Sequence, residues 1–108
     1  MKKFIAGLLM VPCFAHADFD NGNELYSKMT DAASSRQMYA LGFVIGVHEM
    51  LEGDLVCASD NVTAGQLRDI VKKYLEDNPS TRNRPAVILA GIAMAQAFPC
   101  AKQKGKRS

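Results

Sequence analysis

The chain of 108 residues lacks any stretch where apolar and polar residues alternate between hairpin turns, which argues against a β-sandwich or barrel. It has no internal repeat, so solenoids and propellers drop out. Histidine is scarce, with only His16 and His48 present. After His48-Glu49, position 52 holds Glu52, so the two-histidine H-E-x-x-H helix of zinc proteases is absent. Serines are numerous, but none sits in a nucleophile elbow beside a positioned base. Asp54, Asp60, Asp69, Glu76 and Asp77 are spread over loops and outward helix positions, with no spacing that specifies an acid–base pair. No catalytic residue, metal site or cofactor is assigned on this inventory. The chain reads as a protein that acts by contact, not as an enzyme.

A long hydrophobic run is missing as well. FIAGLLMV at residues 4–11 is too short to span a bilayer and is broken by Pro12. It follows the positive start Met1-Lys2-Lys3 and precedes Ala15-His16-Ala17, which places small residues where a signal peptidase inspects them. That order is a cleavable secretory signal peptide over residues 1–17, and it directs the protein to the periplasm. Cys13 follows Pro12 and not a small residue, which argues against a lipoprotein. The mature chain then has 91 residues, one domain with a modest core. Of three cysteines, Cys57 and Cys100 remain. An even count in an oxidising compartment implies one disulfide, the alternative being two free thiols. Closing a loop of that length would stabilise the fold by about 4 kcal/mol in the chain-entropy model.

The formal charge of +2 misleads. Without Lys2 and Lys3 the chain has 11 basic and 11 acidic residues. Four of the basic ones, Lys102, Lys104, Lys106 and Arg107, belong to a tail at residues 102–108, read as solvated and disordered. The body at residues 18–101 is therefore net acidic, which argues against a nucleic-acid partner.

Helical signals fill that body. The first helix is expected over residues 23–32, with Asn21 or Asn23 as cap and Leu25 and Met29 on one face. The second is expected over residues 35–52, capped by Ser34 or Ser35. Its apolar arc is wide: Met38, Leu41, Ile45, His48 and Leu51 (or Glu52) on one face, with Tyr39, Gly42, Phe43, Gly46 and Met50 on the adjoining one. Gly53 stops it, and residues 53–62 form a loop. Thr63 and Gln66 fit a capping box that opens a third helix, with Leu67, Ile70, Val71, Tyr74 and Leu75 inward. Asn78-Pro79 ends it, and STRNR at residues 80–84 makes a polar turn. The fourth helix, over residues 84–97, is apolar almost all round and must be covered on most sides. A second copy of the chain is a natural cover, so a homodimer is expected. Gly42-x-x-x-Gly46 is read as close helix packing within the bundle, and His48 as a residue at the core edge. The sequon at Asn61-Val62-Thr63 is read only as a helix cap.

At YALGFVIGVHEM, NVTAGQLRDIVKKYLEDNPSTRNRPA and AFPC, the sequence resembles the Rap/Tai-type immunity proteins. The matching positions are Tyr39, Gly42, Phe43, Gly46, Cys57, Val62, Thr63, Gly65, Gln66, Leu67, Tyr74, Leu75, Pro79, Ala97, Phe98, Pro99 and Cys100. The resemblance spans residues 22–100. It implies an all-α, small four-helix bundle with one disulfide that neutralises a peptidoglycan amidase toxin delivered by type VI secretion. Some relatives carry a second cysteine pair near the first helix. None is present here, which would leave that helix freer.

Under that reading the protein plugs the toxin's active-site cleft. The loop at residues 53–62 is the candidate plug, through Asp54, Ser59, Asp60 and Asn61. Arg82 and Arg84 of the polar turn are the second candidate surface. The competing function is a general periplasmic binding or chaperone module with no toxin partner.

Overall fold

The computed structural model describes residues 20–101. The signal peptide expected at residues 1–17 and the basic tail at residues 102–108 lie outside the described residues. Four helices follow in order: α1 (Gly22–Met29), α2 (Ser34–Leu51), α3 (Ala64–Asp77) and α4 (Ala86–Ala97), with a 3-10 turn at Pro79–Thr81 before α4. No strand occurs among the described residues, only isolated bridges pairing Asn21 with Pro85 and Glu52 with Val56. Each helix packs against the other three. The all-α four-helix bundle expected from the sequence is the fold that forms.

Two helices begin where side chains complete a capping box. Asn21 Oδ1 accepts from the Glu24 amide at 2.9 Å, and Glu24 Oε1 accepts from the Asn21 amide at 2.8 Å. At α3, Thr63 Oγ1 and Gln66 Oε1 make the same exchange at 3.1 and 2.8 Å. Each pair satisfies donors that the first helical turn leaves free. α2 departs from expectation, because neither Ser34 nor Ser35 caps it. Ala33 holds the N-cap position with no side-chain bond. Asp31, two residues earlier, accepts from the Ala33 amide at 2.8 Å and pairs with Arg36 at 2.7 Å. The Ala33 amide bond, then the Arg36 charge, hold the Asp31 carboxyl below the usual carboxylate range. α1 also ends sooner than expected, at Met29 with Thr30 as its cap.

The core takes Leu25 and Met29 from α1, Ala40, Val44 and Val47 from α2, Leu67, Val71 and Leu75 from α3, and Ala86, Leu89, Ala90, Ala93 and Met94 from α4. The α3 face is the one its periodicity specifies. The α2 face is not: Met38, Tyr39 and Met50 are exposed, and the buried line is Ala40, Val44 and Val47. A helix apolar around most of its circumference has no single favoured face, so packing chooses, and here compact side chains sit where the helices meet. The Gly42/Gly46 reading is corrected for the same reason. Both glycines point to open space, with nothing within 4 Å of a Cβ built on either.

The close approach occurs instead at Gly22. A Cβ there would lie 2.5 Å from Leu89 Cδ1 and 2.7 Å from the Arg82 carbonyl oxygen. That contact lets the start of α1 lie along the turn before α4. The Gly22 and Asn23 amides donate to the Arg84 and Arg82 carbonyls, both at 2.9 Å, and the Ala86 amide donates to the Asp20 carbonyl at 2.9 Å. Lys28 pairs with Asp20 and lies over the Tyr39 ring, and the Tyr26 hydroxyl donates to Glu76 at 3.0 Å. This last bond raises the Tyr26 pKa above its ordinary value by favouring the protonated phenol. α1 is thus tethered by polar contacts without a second cysteine pair. Gly22→Ala is expected to destabilise the protein by about 1–3 kcal/mol, the usual range for overpacking. Urea denaturation of the two proteins measures it.

Candidate partner-binding site

Residues 53–62 leave α2 and return to α3, and both their ends are fixed by local sequence. Glu52 is the C-cap of α2, with extended φ and ψ of −61° and 129°. Gly53 then takes φ +89°, a conformation that disfavours any residue with a Cβ. This reversal lets the Gly53 amide donate to the Val56 carbonyl at 2.7 Å. Val56 is fully buried, so the loop places one apolar side chain in the core. At the far end the Val62 amide donates to the Ser59 carbonyl at 3.1 Å, and the Thr63 capping box follows.

Between these ends the loop is attached to α4. Cys57 and Cys100 form a disulfide with Cα atoms 4.9 Å apart. The Cys57 amide also donates to the Phe98 carbonyl at 2.8 Å. The terminal Phe98-Pro99-Cys100 of the bundle therefore serves to hold this loop. One further contact was not legible beforehand. Glu52 Oε1 accepts from the Ala58 amide at 3.1 Å and from His48 Nε2 at 2.7 Å.

Asp54, Ser59, Asp60 and Asn61 are all exposed. Ser59, Asp60 and Asn61 form one apex, while Asp54 lies beside Gly53 on the approach to it. Arg82 and Arg84 stand elsewhere. They precede α4, whereas Cys100 follows it, and 12 residues of helix separate the two ends by roughly 18 Å. Arg84 is exposed; Arg82 is half-buried, its guanidinium 4.8 Å from the Tyr26 ring centroid. The two candidate surfaces thus lie at opposite ends of α4, and the loop surface is the one with a covalent anchor.

Next to the loop, α2 and α4 leave an open apolar groove of about 310 Å³. Val47, Met50, Leu51, Leu55, Val87 and Ile88 are among its lining residues. Met50 is 63% exposed and Leu55, a loop residue, 49% exposed. Half of α4 is thus covered within the bundle and half is not: Leu89 and Met94 are buried, Val87 and Ile88 exposed. Among the described residues, no group of three His, Cys, Asp or Glu is placed to hold a metal ion, and no helix is long and apolar enough to cross a membrane.

These elements define a small, disulfide-closed helical bundle that presents a clamped polar loop beside an apolar groove. The chain matches the family model of the Rap1a immunity proteins over residues 21–100. That span takes in all four helices and both bonded cysteines, and the chain belongs to this family. No curated protein matches it.

Breaking the covalent anchor tests how far the loop and the bundle depend on it. Cys100→Ser is expected to lower stability by roughly 2–5 kcal/mol, as loss of a native disulfide does in small domains. Thermal unfolding checks this, and mass spectrometry of the unreduced parent should find no alkylatable Cys57 or Cys100.

Proposed function

We propose that this chain is a periplasmic immunity protein of a type VI secretion system. In this reading it is exported by the signal peptide at residues 1–17, has no enzymatic activity, and inhibits a peptidoglycan amidase by inserting the loop at residues 53–62 into its active-site cleft. The family match supports the immunity role. The observation that carries the loop assignment is the disulfide that pins Cys57 beneath an apex of exposed Ser59, Asp60 and Asn61. A loop already ordered in the free protein loses less conformational entropy on binding. Its carboxylate, hydroxyl and amide are compact groups suited to meeting a catalytic histidine or the oxyanion donors of a narrow cleft.

The protein acts as a homodimer in this reading. The groove between α2 and α4 and the exposed Met50, Leu55, Val87 and Ile88 form an apolar patch of the kind that marks an interface. The same patch favours the second reading, a chaperone-like module that takes apolar client segments. Co-purification from the periplasm separates them. A single amidase partner supports immunity; a mixture of unfolded clients, taken up when the dimer dissociates, supports the module.

Replacing Ser59, Asp60 and Asn61 together by alanine is expected to weaken binding to the cognate amidase at least about tenfold, or 1.4 kcal/mol. Isothermal calorimetry measures this. If that variant inhibits like the parent while Arg82→Ala/Arg84→Ala does not, the toxin-binding surface is the polar turn. Sedimentation should show a dimer at a working concentration of about tens of micromolar, the range in which a specific interface persists. A monomer there would exclude the groove as a self-association surface.

A further inference from the structure

We infer that Glu52 is the positioning residue of the apex formed by Ser59, Asp60 and Asn61. This inference rests on the reading of that loop as the toxin-binding element. Helix economy alone does not explain a glutamate at this position. Glu52 caps the C-terminus of α2, where the exposed carbonyls make the local field negative and a cation is the favoured neighbour. The carboxylate nevertheless turns back to one defined place, where a single oxygen receives two donors.

His48 Nε2 reaches Glu52 Oε1 at 2.7 Å from one turn earlier on α2. The Ala58 amide reaches the same oxygen at 3.1 Å from the loop. His48 thereby fixes the rotamer of Glu52, and Glu52 fixes the backbone at Ala58. A charged acceptor makes this a stronger bond than one between two neutral groups.

The position of Ala58 gives the contact its consequence, because the apex begins at the next residue. On its other side the apex meets the Thr63–Gln66 capping box, also an exchange between side chain and backbone. The exposed side chains therefore sit between two clamps, Glu52 at Ala58 and Gln66 at Thr63. The disulfide secures the loop one residue further back, at Cys57, but it ties the loop to α4. Glu52 supplies a side-chain tie to α2 from the residue just before the apex. The disulfide keeps the loop attached, and Glu52 sets the direction in which its apex leaves the bundle.

The test compares Glu52→Ala and Glu52→Gln with the parent and with the triple alanine variant at residues 59–61. Amide hydrogen exchange by NMR on the free protein is the primary readout, alongside thermal unfolding and calorimetry with the cognate amidase. Glu52→Ala should speed exchange at Ala58 by about tenfold or more while core amides in α3 keep their protection. It should also weaken amidase binding about tenfold. Glu52→Gln keeps the carbonyl acceptor and should restore most of both. Unchanged exchange at Ala58 in Glu52→Ala overturns the inference whatever the amidase does. It is also overturned if the apex loosens, the triple variant loses binding, and Glu52→Ala still binds like the parent. If the triple variant binds normally, the loop reading fails. The exchange data then still decide whether Glu52 positions the apex.

Discussion

The bond between Cys57 and Cys100 is the constraint on which the loop end of this bundle depends. Ordering the backbone of the loop at residues 53–62 costs conformational entropy. Burial offsets part of this: Val56 is fully buried, and Ala58 and Val62 pack partly buried against the core. A disulfide in a small domain contributes roughly 2–5 kcal/mol. It also removes unfolded conformations in which the loop and the end of α4 are far apart. The Cys57 amide to Phe98 carbonyl bond, the Glu52 contact and the Thr63 cap then act on a segment already held in place.

The opposite end of the bundle solves the same problem with polar contacts. α1 is only eight residues long, too short to persist as an isolated helix. It is held by backbone hydrogen bonds to the segment before α4, by the Asn21–Glu24 capping box, and by the Lys28–Asp20 and Tyr26–Glu76 contacts. Gly22 makes that approach possible, since any side chain there would meet Leu89 and the Arg82 carbonyl. One end of the bundle thus relies on a covalent bond and the other on backbone proximity. Between them lies a core with no buried polar or charged residue among the described ones.

The surface divides in a related way. Leu55 belongs to the loop and also lines the apolar groove, so the polar apex and the apolar patch adjoin. α2 and α4 meet beside the groove at Leu51 and Gly91, where a Cβ built on the glycine would lie 3.1 Å from Leu51 Cδ1. Larger apolar side chains, Met50, Val87 and Ile88, are left facing outward.

The sequence by itself determined what depends on neighbours along the chain. It specified four helices, the capping box at Thr63, the inward face of α3, the turn at Gly53 and the pairing of two cysteines. Each follows from a short-range pattern or from a count. Tertiary structure decided which face of α2 is buried, because an all-round apolar helix has no preferred side until its partners are in place. For the same reason it turned Gly42 and Gly46 to open space and moved the close approach to Gly22. It placed Arg82 against Tyr26, and it brought Glu52 to the Ala58 amide. That last contact depends on where Gly53 sends the chain and on where the disulfide holds it, so no local pattern around Glu52 specifies it.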